Sequence, residues 1–437
     1  MQNHIFLGFL FDNVSLYFVS LFLSAVPMYF IASRYSYSWI DPLRISLIFS
    51  ALANAPLIFL YLIGQISDNL FYYSIAAILL FWSGFLIPAR NRIVFSRLRF
   101  CEDSLVLRIL FFEILFLYGS SYIFSYIYFG IPIFASSRIG VYIGSGGYGV
   151  ISRVNPFLEL FILMYSFMKI GAVTKRRSKL VFITAILVVS VFNLLSGSRM
   201  GLINIVVGFF GYSIFWKHEV PNDRRLIRYA PILLAGTAFV LLLMTGGNSF
   251  AAMSMLLVRI VASGDAYYMA YPNDVLNFVD IGNGSAFLLS QILVPLRLVD
   301  GASIPLPIGV QLKDLLYPEI EGLFVGPNSL PPILGYALFG YAGIFFTFCV
   351  GMLSSLLIFR LSAFIPRSFV SSVFVFYMYF VSLRFIGDPT YGIASLFDAV
   401  LNVIVLIFLL IIAIAIRGSI SRSVSDFPAI RLAHDLV

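Results

Sequence analysis

Three groups of residues in this chain have types and spacings suited to chemistry on an anion. The first is the run Leu195-Ser196-Gly197-Ser198-Arg199. Gly197 permits a tight turn between two helices, and Ser196 or Ser198 can cap the helix that follows. That helix start offers free N–H groups and the positive end of its dipole. Arg199 adds a planar fork of donors matched to phosphate oxygens, so the combination suits a diphosphate. The second group is Arg259 followed by Ser263-Gly264-Asp265 and by Tyr267, Tyr268 and Tyr271. Here a second guanidinium would share the diphosphate charge. Asp265 is the candidate general base, able to take a proton from a sugar hydroxyl, and the tyrosines are candidate sugar-stacking surfaces. Their plain alternative is an Arg–Asp ion pair with a belt of interfacial tyrosines. The third group is Arg384 with Asp388, for which the plain alternative is a helix-end pair four residues apart.

Two further features are weaker. Five glycines lie between Arg138 and Arg153, where backbone N–H groups could face an anion or a sugar; Arg138 is taken as a substrate-binding candidate. Glu113 and Asp398 fall inside apolar runs, where charges are costly and often functional. Both acids fit equally a proton site or polar contacts between helices.

The elements that must position these groups follow from composition. The chain has 437 residues, 61% apolar and only 11% charged, so it is a polytopic membrane protein. Apolar runs long enough to cross a bilayer fall at 14–32, 45–64, 70–88, 105–129, 156–173, 180–195, 201–216, 229–247, 333–359, 369–385 and 392–416. The fold class expected is all-α, a transmembrane helical bundle of about 11–12 spans. It forms a single integral membrane domain over 1–437, with one long outer loop at 248–332. Residues 250–271 read as a helix lying in the membrane interface. Ile304-Pro305-Leu306-Pro307 and Pro331-Pro332 read as irregular.

The net charge is +8, but its distribution argues against nucleic acid. Twenty of the 28 Lys and Arg fall in alternate loops, which the positive-inside rule makes cytoplasmic. Lys169 is expected to snorkel to the headgroups from the inner end of its helix. The remaining basic residues, Arg138, Arg153, Arg199, Arg259, Arg297, Lys313 and Arg384, then lie on the outer side with most outer acids, so chemistry is expected there. The start of the chain reads as an insertion signal with no removable leader. Cys101 and Cys349 are too differently placed to pair.

Absences narrow the chemistry. None of the three histidines, His4, His218 and His434, falls in the long outer loop, which argues against a His-based zinc site or a histidine base there. There is no Asp-x-Asp motif for a metal–nucleotide-sugar site, no Walker A pattern and no dinucleotide fingerprint. Neither a cofactor nor a metal is expected. An outer-side reaction has no ATP, so a donor must arrive already activated.

Together these residues resemble the O-antigen polymerase (Wzy) family. The resemblance rests on three motifs: the Ser-Gly-Ser-Arg turn at 196–199, Arg259 with Gly264-Asp265 opening a long outer loop, and Pro327-Asn328-Ser329 leading through Tyr336-Ala337-Leu338-Phe339-Gly340-Tyr341-Ala342-Gly343 into the next span. It covers roughly residues 105–400, mostly as architecture. Many relatives carry an acid and an Asn just before the Phe-Gly pair, where this chain has Leu334 and Leu338. The family implies a GT-C-like, metal-independent glycosyltransferase in the bacterial inner membrane with its site facing the periplasm. It would join repeat units carried on undecaprenyl diphosphate, with Arg199, Arg259 and Arg384 holding the diphosphate. A co-polymerase partner would set chain length. The alternatives are an O-antigen ligase using the same donor, whose relatives usually carry an outer-loop histidine, and a lipid-linked oligosaccharide flippase, which needs no long outer loop.

Overall fold

The computed structural model describes residues 1–89, 105–134, 148–196, 200–217, 242, 245–249, 262–320, 325–361 and 368–425. Arg138, Ser198, Arg199 and Arg259 lie outside the described residues, as does most of the expected span at 229–247. Among the described residues there are helices and no strands. Nine segments among the described residues are long and apolar enough to cross a membrane. The chain is an all-α, multi-pass membrane protein.

The long helices are α1 (Asn3–Asp12), α2 (Val14–Tyr35), α3 (Pro42–Leu62), α4 (Asp68–Leu86), α5 (Leu105–Phe129), α6 (Tyr148–Ala172), α7 (Arg176–Leu195) and α8 (Met200–Tyr212). Short helices follow: α9 (Asp265–Ala270), α10 (Gly284–Leu288), α11 (Ser290–Leu293) and α12 (Ile308–Leu316). The chain ends in α13 (Pro331–Phe339), α14 (Gly343–Phe359), α15 (Phe369–Gly387) and α16 (Pro389–Ser425). Helix ends follow local chemistry. Asp41 caps α3 ahead of Pro42, accepting from the Leu43 N–H at 2.9 Å. Ser368 and Ser371 form a capping box at the start of α15.

Burial orders the bundle. The span of α2 is 17% buried and that of α6 is 78% buried, so α6 is the central post and α2 faces lipid. That explains why α6 has the lowest hydropathy of the spans: buried Asn155, Glu159, Ser166 and Lys169 all sit on it. Lys169 corrects the snorkelling expectation. It is 6% exposed and lies over the ring of Tyr165 at 5.3 Å.

The expected span at 333–359 is broken. Gly340 has φ +56, a region open to glycine, and Gly335 lies against Gly343 so closely that a Cβ on either would meet the other's carbonyl oxygen. In a straight helix eight residues span about 12 Å, so the chain bends here and α13 packs on α14. Pro331 and Pro332 are not irregular; they occupy the first turn of α13, where a missing N–H costs nothing.

Of the expected interfacial helix at 250–271 only 262–271 is described, and there the chain is a short helix, Asp265–Ala270, buried within the segment 262–330. That segment docks on one end of the bundle through a second apolar core. Gly264 sits against the Ala53 carbonyl and the Pro56 ring of α3, leaving no room for a side chain. Tyr268 stacks on Phe6 at 4.2 Å, and the Tyr271 hydroxyl bonds Ser74 at 2.7 Å. Fully burying a ring such as Phe6 contributes roughly 1.5–3 kcal/mol, so a handful of such contacts fastens the segment.

Tight packing of α4 on α14 rests on Gly84 and Gly351, whose Cβ positions would collide with the carbonyl oxygens of Phe348 and Phe81. Small residues let helices approach in this way inside a membrane. Gly351→Val is expected to destabilise the fold by about 1–3 kcal/mol, read as a lower thermal midpoint in detergent. Gly119→Val, at a position with open space around it, should leave the midpoint near wild type.

Candidate functional site

The polar site is built at the end of the bundle that carries the docked segment. Helices α15 and α16 meet there, joined by Asp388. On α16, Tyr391, Ser395, Asp398 and Asn402 follow one another at spacings of four, three and four, which places them on one face. On α15, Tyr377 and Arg384 are seven apart and share a face in the same way. α6 adds Arg153 from its first turns.

Arg153 Nη1 donates to Asp398 Oδ1 at 2.7 Å, a charge-assisted bond between side chains exposed by 17% and 11%. Its Nη2 donates to the Gln291 carbonyl of α11 at 3.3 Å, so Arg153 ties α6, α16 and the docked segment together. Arg384 does not pair with Asp388. It donates to the Ser395 hydroxyl and lies over the rings of Tyr391 at 4.6 Å and Phe380 at 5.5 Å. Asn402 Nδ2 donates to the Tyr377 hydroxyl at 3.2 Å, deeper in the same face.

Asp388 is occupied otherwise. Its carboxylate caps α16, accepting from the backbone N–H and the hydroxyl of Thr390, at 2.9 and 2.6 Å, and from the Tyr391 N–H at 3.3 Å. Its second oxygen accepts from the Ser329 N–H at 3.3 Å, fastening the Pro-Asn-Ser stretch to this corner. Burial raises its pKa, and the bonds from Thr390, Tyr391 and Ser329 only partly oppose that. Asp398 is matched to Arg153 and Asp388 accepts at a helix start, and among the described residues Arg384 makes no ion pair.

The expected site residues are distributed as follows. Arg384 stands in this corner. Arg138, Ser198, Arg199 and Arg259 lie outside the described residues, although Leu195 and Met200, which flank the Ser-Gly-Ser-Arg turn, end α7 and begin α8. Asp265 is half-exposed at the first position of α9, a helix that packs on α3, α12 and α13; it makes no bond to Arg384. Tyr268 and Tyr271 are corrected as sugar-stacking surfaces: they are 2% and 1% exposed, with ring or hydroxyl committed to Phe6 and Ser74. Tyr267 is likewise buried. Each is an aromatic residue with a polar tip, the kind that fills a core when the tip finds a partner.

Sequence reasoning missed Arg153 as a partner of Asp398, because the two are 245 residues apart. It also missed Ser395, Asn402 and Tyr377. The signal available was the run of polar residues on one face of an otherwise apolar helix. Among the described residues, no three His, Cys, Asp or Glu side chains come together as metal ligands. Comparison of the chain with family models, with curated proteins and with solved structures finds no match in any of the three. The fold and site define a class: a multi-pass helical membrane protein with an arginine-bearing polar corner where a docked segment meets the helix ends.

Two measurements check this geometry. Arg153→Ala and Asp398→Ala should each destabilise the fold by about 1–3 kcal/mol, and the double variant should lose less than their sum, read from thermal midpoints. For Asp388 the sign follows from its raised pKa. The stability it contributes is whole below the unfolded aspartate value of about 3.9 and is lost as pH rises through the folded value. Asp388→Asn keeps a cap acceptor and removes the ionisation, so its stability should fall less than wild type over that rise in pH.

Proposed function

We propose that this protein is a glycosyltransferase that polymerises oligosaccharide repeat units carried on undecaprenyl diphosphate, at the periplasmic face of a bacterial inner membrane. One observation carries the reading: the guanidinium groups of Arg153 on α6 and Arg384 on α15 meet one polar face of α16, at Asp398 and Ser395, where a docked segment covers the helix ends. An anion on a lipid carrier would reach that corner from between helices while its glycan lay along the segment 262–330.

In this reading Arg384 and Arg199, with Arg259 and Arg138, hold the diphosphate, and Ser198 adds a donor at the start of α8. The guanidinium groups take up negative charge as the diphosphate leaves, which is the work a metal performs in nucleotide-sugar enzymes. The acceptor hydroxyl attacks the anomeric carbon, the bond to the diphosphate breaks, and the hydroxyl proton passes to a carboxylate. Asp265 is the candidate for that base. Neither a cofactor nor a metal is invoked, and a co-polymerase that sets chain length is the expected partner.

Arg199→Ala is expected to abolish long polysaccharide while single repeat units still reach their acceptor, seen on gels of cell-envelope polysaccharide. Arg199→Lys should rescue poorly, since it supplies charge without the bidentate fork. Loss of single units as well would sink the polymerase reading and indicate a flippase.

A further inference from the structure

The turn that follows α11 carries a residue at odds with its backbone. Val294 continues the helical geometry of α11. The Leu298 N–H then donates to the Leu293 carbonyl, and the Arg297 N–H to the Val294 carbonyl, both at 2.9 Å. Such a pair of bonds closes a helix end whose next residue is left-handed, and glycine is the usual occupant. Here the occupant is Arg297, at φ +58. A side chain is disfavoured in that region, so the arginine is kept against the preference of its own backbone. Arg297 is exposed and makes no ion pair among the described residues. The same turn displays leucine: Leu296 is 50% exposed and Leu298 67%, with Leu289 at the start of α11 exposed as well.

Two contacts fix where this turn stands. α11 packs against α16, and Arg153 bonds the Gln291 carbonyl of α11 and Asp398 of α16 at once. One guanidinium reaches both, so α11 lies level with Asp398. That residue is well inside α16, which begins at Pro389, about 14 Å along the helix axis. It falls within the stretch of α16 long and apolar enough to cross a membrane. Val400 and Ile404, next along α16, are also exposed, as apolar residues are where lipid is the neighbour.

We propose that the turn 294–298 is a membrane hook: Leu296 and Leu298 enter the hydrocarbon of the adjoining leaflet, and the Arg297 guanidinium binds phospholipid phosphates. The chemistry matches on each count. Apolar side chains gain by leaving water, and a guanidinium fork suits phosphate oxygens. A long arginine side chain can lay its stem in lipid while its charge stays at headgroup level. In water, neither the displayed leucines nor the left-handed arginine would have a compensating contact. The hook fastens the docked segment to the bilayer as well as to the bundle, beside the Arg153–Asp398 pair.

The test uses the full chain with Cys101→Ser and Cys349→Ser, reconstituted in vesicles of phosphatidylethanolamine and phosphatidylglycerol. Spin labels are placed one at a time at Leu296→Cys and Leu298→Cys. Phe116→Cys on α5, at a residue 77% exposed on a span, is the lipid-facing reference. Collisions with dissolved oxygen, which concentrates in hydrocarbon, should exceed those with a water-soluble nickel chelate at both positions, as at the reference. An excess of nickel collisions at either position would place the turn in water and overturn the proposal. Protection from both reagents would mean that protein covers the turn, and would overturn it too. The arginine is tested without labels, in detergent. Arg297→Gly should raise the thermal midpoint, since glycine suits the left-handed residue. Added phosphatidylglycerol should raise the midpoint of wild type and of Arg297→Lys, and that of Arg297→Gly by less. An equal response to the lipid in wild type and Arg297→Gly would overturn the phosphate contact.

Discussion

A polar group buried among lipid-facing helices has to be answered by another, and in this chain α6 organises the answers. It is the most buried of the spans, and buried polar side chains line it from end to end. Asn155 accepts from Ser121 of α5, Glu159 from Asn193 of α7, and Arg153 donates to Asp398 of α16. Each bond joins α6 to a different neighbour, so the set fixes the angular position of three helices around one post. Apolar packing supplies most of the contact area, but its tolerance of sliding is higher than that of a hydrogen bond deprived of water.

The docked segment obeys a different constraint. Its attachment is apolar and aromatic, made by Tyr267, Tyr268 and Tyr271 where α1, α3 and α4 end, with Gly264 allowing the backbone to approach α3. Each tyrosine brings a hydroxyl that must find a partner; Tyr267 donates to Asn54, and the hydroxyls of Tyr271 and Ser74 bond each other. The segment is held further by Gln2, which donates to the Leu316 carbonyl at 2.7 Å. A long connection that would otherwise lose much entropy on ordering is thereby placed over the helix ends.

Between these two systems lies the corner formed by α15, α16 and the start of α6. Its polarity comes from division of labour between two acids. Asp398 neutralises Arg153, and Asp388 is spent on capping α16 and holding Ser329. Arg384 is steadied by the rings of Phe380 and Tyr391 and by a neutral hydroxyl, which hold a guanidinium in place without cancelling its charge. An arginine oriented in this way keeps little side-chain freedom.

The spans of α2 to α7 and of α15 and α16 were legible in the sequence to within a few residues, because twenty or so apolar residues in a row have one stable arrangement across a bilayer. The place of Arg384 at the end of a span was legible too, since a charge at the end of an apolar run stands out against its surroundings. The bend at Gly340 was not, because the continuous apolar run hides it and the contact of Gly335 with Gly343 exists only once the chain has turned. Nor could the fate of the tyrosines at 267, 268 and 271 be read: the same residues suit a membrane belt, a sugar platform or a core, and only packing against Phe6 and Ser74 decided for the core. The pairing of Arg153 with Asp398 belongs to tertiary structure alone. Sequence determines which residues carry charge and which segments must be helices. Which charge meets which depends on how helices far apart in the chain are turned toward one another.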